Sequence, residues 1–209
     1  MRKSLPDFLK NLLFCIISFL LFSIPHHTFA QLIINPAGAA SLSSQLAGPG
    51  LSVFNVVYTG NATAAAAFTA NGTNLGLNSG ILLATGRADI AIGPNNSGNA
   101  GMTMLTPGDP SLTALAGTTT FDAAILEFDF IPQNDTVSFR YVFASEEYPE
   151  YVCSSFNDVF AFYITGPGIA GTQNMALIPG TNSAVAINSV NSGVIGLWGV
   201  PGPGCGLGF

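Results

Sequence analysis

The chain has 209 residues, a formal charge of −6, 48% hydrophobic and only 8% charged residues. Its histidines, His26 and His27, lie among the first thirty residues, and beyond residue 30 there is no lysine and only Arg87 and Arg140 to set against ten acids. That excludes histidine-dependent triads, histidine-bound zinc or iron and lysine Schiff bases, and it leaves no basic cluster for nucleic acid or an anionic membrane surface.

Arg2, Lys3 and Lys10 precede an apolar run from Leu12 to Ile24, and Thr28-Phe29-Ala30 supplies small residues at the −3 and −1 positions of a cleavage site. Residues 1–30 read as a secretory signal peptide, too short to span a bilayer. An uncleaved N-terminal membrane anchor is the alternative. Removal of this segment leaves a single domain, 31–209, with a formal charge of −8 and no integral membrane segment. Its length suffices for a real core.

Strands dominate the chain beyond residue 30. LSVFNVVYTG (51–60) is a strand ending at a glycine, and the alanines of 62–67 read as strand or edge rather than helix, since Asn-Gly pairs flank them. SGILLATG (79–86) is an apolar strand, and GPNNSGNAG (93–101) is a flexible loop by composition. In AILEFDFIP (124–132), Leu126, Phe128 and Phe130 alternate with Glu127 and Asp129, and a turn follows at 132–135. TVSFRYVFA (136–144), DVFAFYITG (158–166) and SAVAINSV (183–190) continue the pattern. Many short strands with glycine-rich turns indicate an all-β fold, an antiparallel β-sandwich of jelly-roll-like type. The chain stops at Phe209 in GVPGPGCGLGF, so the expected sandwich lacks its C-terminal strands, which would bury Trp198. Cys153 and Cys205 suit a disulfide in an oxidising compartment. Each could instead stay free or pair with a cysteine beyond residue 209.

The loop between 144 and 158 gathers Ser145, Glu146, Glu147, Glu150, Ser154, Ser155, Asn157 and Asp158, all hard oxygen donors in a chain sparing with charge. Ca2+ takes six to eight such oxygens. Glu146, Glu147, Asn157 and Asp158 are the candidate metal ligands, provided that a turn brings the two adjacent glutamates to one point, because in extended chain they face opposite ways. Arg140 is a competing charge partner that would make the cluster a structural ion-pair network, and a solvated acidic loop is the third possibility. Tyr148, Tyr151 and Phe156 offer rings to a sugar or a partner side chain, or else cover the end of the fold.

The run FDFIPQNDTVSFRYVFASEEYPEYVCSSFNDVFAFYITGPG resembles the choice-of-anchor L domain of secreted bacterial proteins, common in Bacteroidetes, and LAGPGLSVFNVVYTG, LGLNSGILLATG and NMALIPGTNSAVAINSVN match the same family in the same order. The resemblance implies an exported or surface-attached β-rich module in adhesion or extracellular assembly, and it supplies no catalytic residues. The expected function is therefore a secreted or outer-surface, non-catalytic module that binds an extracellular glycan or protein, with its acidic loop ordered by calcium. The alternatives are a carboxylate-based glycoside hydrolase or peptidase using Glu146 or Glu147 with Asp158, and a structural spacer without an ion.

Overall fold

The computed structural model describes residues 30–98, 100–202 and 205. The chain divides into Met1–Ala30 and Gln31–Phe209, and the expected signal peptide, Ala30 apart, lies outside the described residues. In order, the elements are β1 (Ile33–Pro36), α1 (Ala39–Leu46), β2 (Leu51–Thr59), β3 (Ala65–Thr69), β4 (Ser79–Leu83), α2 (Pro110–Ala116), β5 (Ile125–Pro132), β6 (Val159–Phe160), β7 (Tyr163–Ile164), β8 (Gln173–Asn174) and β9 (Val185–Ala186). Two 3-10 turns, Ala62–Ala64 and Ala88–Ile92, interrupt them. All pairing is antiparallel: β1-β3-β4 in one sheet, then the pairs β2-β5, β6-β9 and β7-β8. The all-β class expected from the sequence is the class observed.

The alanine run explains the first sheet. Asn61 caps the turn that opens it, accepting the Thr63 N–H at 3.0 Å, and the chain then extends into β3. Ala64 to Ala67 are buried; small side chains let α1 approach, and Leu42 of α1 is 0% exposed. In β5 the alternation holds, with Glu127 and Asp129 exposed and Leu126, Phe128 and Phe130 partly buried. A register shift in β2 between Phe54 and Val57 contains Asn55, whose φ of 51° asparagine tolerates better than most residues. The Asn55 side chain donates to Asp129 Oδ2 at 2.7 Å and ties the irregularity to the partner strand.

Two expectations need correction. Residues 136–144 are extended but belong to no hydrogen-bonded ladder. They lie against 158–164 through rings instead, Phe139 on Phe162 at 4.0 Å and Tyr141 on Phe160 at 5.0 Å, an antiparallel pairing made by side chains. The strand expected over 158–166 is two short pieces, β6 and β7, each with its own partner. Trp198 is 63% exposed, as an expectation of burial under strands beyond this chain allows, and the 194–200 segment lies along the 150–153 turn through Trp198 N–H to Glu150 O at 2.9 Å and Val200 N–H to Cys153 O at 3.0 Å.

Two devices hold the loops. Cys153 and Cys205 form the expected disulfide, Cα atoms 5.6 Å apart and 52 residues separated in sequence, beside a small core of Val152 and Ile187 edged by Phe143 and Tyr148. On the chain-entropy model a loop of this length is worth roughly 4 kcal/mol. Asp122, buried, accepts the Met104 N–H at 2.9 Å, the Thr106 N–H at 2.7 Å and the Thr106 hydroxyl at 3.1 Å. Replacing Asp122 by alanine orphans two backbone donors, so Asp122→Ala is expected to lose about 3 kcal/mol in urea denaturation. A midpoint equal to wild type would show that this carboxylate fastens nothing.

Candidate functional site

The ring pairing of 136–144 with 158–164 makes residues 145–157 the connection between two antiparallel segments. The connection is not extended. Successive turns run from Glu146 to Cys153, closed by Tyr151 N–H to Glu147 O at 2.9 Å and Ser154 N–H to Tyr151 O at 2.9 Å. A turn therefore does lie at the adjacent glutamates, and both influence Asp158 electrostatically.

Glu147 and Asp158 lie close enough for each to perturb the other's ionisation, and Glu146 close enough to repel both. Desolvation by the surrounding loop, reinforced by the charges of Asp158 and Glu146, pushes the Glu147 carboxyl up to about 7 from an ordinary 4.5. Burial also raises Asp158, with Glu146 adding to it, while hydrogen bonds from Glu147 and Thr85 oppose the rise. Ser145 donates its hydroxyl to Glu147 Oε2, and the Glu147 N–H returns to Ser145 Oγ at 3.2 Å. Thr85, just past β4, donates to Asp158 Oδ2 at 3.4 Å.

Neither arginine neutralises this group. Arg140 donates to the Gly76 carbonyl at 2.9 Å, and Arg87 forms an exposed ion pair with Asp89. Among the described residues, no three acidic, histidine or cysteine side chains are drawn together tightly enough to form a metal cage. The donors that face one another are all hard oxygens, suited to calcium or magnesium rather than to a softer metal.

The remaining candidates take other positions. The Asn157 side-chain oxygen accepts the Asn188 N–H at 2.9 Å, which makes it a brace of the loop. Asn188 completes the brace, accepting the Cys153 N–H at 2.7 Å and donating to Ser154 O at 3.2 Å. Tyr148 points inward, donating to the Val190 carbonyl, and burial followed by the Glu147 and Asp158 charges pushes its hydroxyl up to about 12. It helps to line a shallow apolar hollow of about 320 Å³ with Phe143, Pro149, Val152 and Val190. Tyr151 packs edge-on against Phe156 at 5.2 Å, and only Phe156, at 58%, is openly exposed. Glu150 Oε2 is buried without a hydrogen-bond partner.

Two contributors, Thr85 and Asn188, are not evident from the sequence. Thr85 lies 73 residues from Asp158, and nothing local announces that contact. Asn188 has a weak signal: asparagine recurs in AINSVNSG, and its amide often satisfies neighbouring backbone in place of a ladder.

No curated protein and no solved structure matches the chain. No described helix is long and apolar enough to cross a membrane. The choice-of-anchor L domain profile matches residues 35–205, nearly the whole chain beyond the N-terminal segment, and points to a surface or secreted protein. The chain belongs to the choice-of-anchor L domain family.

Proposed function

We propose that the chain is a non-catalytic extracellular module, serving adhesion or binding to a glycan or protein, whose 145–158 loop is ordered by calcium. One observation carries the reading: Glu146, Glu147 and Asp158 are crowded together with no basic group to neutralise them. Like charges so placed must either hold a proton or hold a cation. Outside a cell, where calcium is plentiful and weak sites suffice, the cation is the better occupant. Since the three carboxylates do not form a cage as they stand, the cation would have to draw them inward, with the Ser145 and Thr85 hydroxyls beside them and Asn157 acting from behind through Asn188. The exposed Phe156 ring, next to Tyr151, supplies a contact surface for a partner.

Hydrolysis fits less well. Paired carboxylates of glycoside hydrolases stand about 5 to 10 Å apart with substrate or water between them, whereas Glu147 and Asp158 adjoin closely enough to perturb each other's ionisation.

Two measurements test this reading. The wild-type chain should melt several degrees higher in millimolar calcium than in chelator, since a ligand at a hundred times its dissociation constant adds about 2.7 kcal/mol. Asp158→Ala should abolish that difference while melting close to wild type in chelator. A loss of equal size in both conditions would make Asp158 a structural residue and remove the ion from the account.

The second is pH dependence without calcium. Glu147 keeps its proton in the fold up to about pH 7 but ionises near 4.5 when unfolded. Below 4.5 both states are protonated and the group contributes nothing. Between 4.5 and 7 the unfolded chain alone releases the proton, so folding stability falls as pH rises. After allowance for its partial exposure, the fall is roughly 1–2 kcal/mol. Glu147→Gln should remove this slope, and calcium should flatten it in the wild type. Parallel pH profiles for wild type and Glu147→Gln would show that Glu147 is not crowded.

A further inference from the structure

The glycine-rich segment before Met102, a flexible loop by composition, lies against the acidic loop. A Cβ placed on Gly101 would collide with Glu146 Oε1, and one placed on Gly98 would sit 3.4 Å from Glu150 Oε2. Neither glycine has a left-handed backbone, so what glycine supplies at these positions is room and not conformational freedom.

The chain leaving Gly101 is fixed at two points. Downstream, the Asp122 carboxylate holds the backbone at Met104 and Thr106. Immediately after Gly101, the backbone of Met102 crosses Gly86 so closely that a Cβ on Gly86 would meet Met102 O at 3.3 Å and Met102 N at 3.4 Å. Gly86 follows Thr85, whose hydroxyl bonds Asp158. The exit of β4 thus places two things at once: Asp158 through Thr85, and the Gly101–Met102 backbone through the missing side chain of Gly86.

We infer that Gly101 is a positioning residue for the acidic loop: by omitting a Cβ it seats the Glu146 carboxylate against Gly101, beside Glu147 and Asp158. The inference rests on the calcium reading for its ligand consequence and on packing alone for its steric one. Glu146 reaches Gly101 with the free end of a flexible side chain. An added methyl would therefore swing the carboxylate out and leave the fold standing.

The test is a double-mutant cycle on the full-length protein, using Gly101→Ala, Glu146→Ala and the pair, with Gly48→Ala as a control where an added Cβ meets nothing within 4 Å. In chelator, Gly101→Ala should lower the Tm by about 2–4 °C in the wild-type background and not at all in the Glu146→Ala background. Gly48→Ala should be neutral in both. An equal drop in the two backgrounds would overturn the steric assignment. In millimolar calcium chloride, Gly101→Ala and Glu146→Ala should each reduce the calcium-induced Tm rise, with the double variant no worse than the more affected single. A full calcium response in Gly101→Ala beside a lost one in Glu146→Ala would overturn the positioning role. If the wild type itself shows no calcium response, the cation reading falls, and the chelator cycle still decides whether Glu146 is seated on Gly101.

Discussion

Repulsion among three carboxylates is the constraint on which the functional end of this molecule turns. Glu146, Glu147 and Asp158 are brought together by a turn and a returning strand. The chain past residue 30 has no lysine and two arginines, both directed elsewhere. A fold that left such a cluster unneutralised would lose stability at neutral pH through every one of those contacts. A shared proton relieves the repulsion in acid. On the proposed reading a hard divalent ion would relieve it at the pH and calcium level of an extracellular medium, the compartment that family membership points to.

The rest of the loop resists that repulsion mechanically. Asn157 and Asn188 lock its return to the chain beyond, the disulfide pins Cys153 from behind, and Tyr148 anchors the turn to the Val190 carbonyl. From the other side, Thr85 and the Gly86 crossing fix Asp158 and the glycine segment from a single strand exit. The carboxylates are held by neutral groups, so each donor near them favours the ionised form without cancelling its charge. Such a frame can pre-organise an ion site, since little has to move when charge arrives.

Much of the fold was legible because its signals are local. β5 follows from alternation, β2 and β4 from apolar runs bounded by glycines, and the extended alanine run from the Asn-Gly pairs that flank it. The disulfide followed from two cysteines in an exported chain. The short helices were not found because seven or eight residues carry too little period, although Asp109-Pro110 at the start of α2 and Gly117 at its end are proper start and stop signals. Residues 136–144 mislead for a different reason: alternation reports which face is apolar, and here that face is matched by stacked rings without a ladder. At the site, composition named Glu146, Glu147 and Asp158, and the need for a turn between the glutamates followed from strand geometry. The places of Thr85, Asn188 and Gly101 depend on contacts across 31 to 73 residues in the cases of Asn188 and Thr85, and no periodicity encodes those. Arg140, plausible by proximity in sequence, donates to the Gly76 carbonyl at 2.9 Å instead.

The most direct measurement is a calcium titration of the full-length protein in weakly buffered solution near pH 6.5, with bound ion and released protons followed together. Glu147 is largely protonated at that pH, and a cation must displace its proton. The account predicts saturable binding of one calcium per chain, accompanied by proton release that disappears in Glu147→Gln. Absence of binding at millimolar calcium, or binding with no proton released, would contradict the claim that this loop is built to hold an ion.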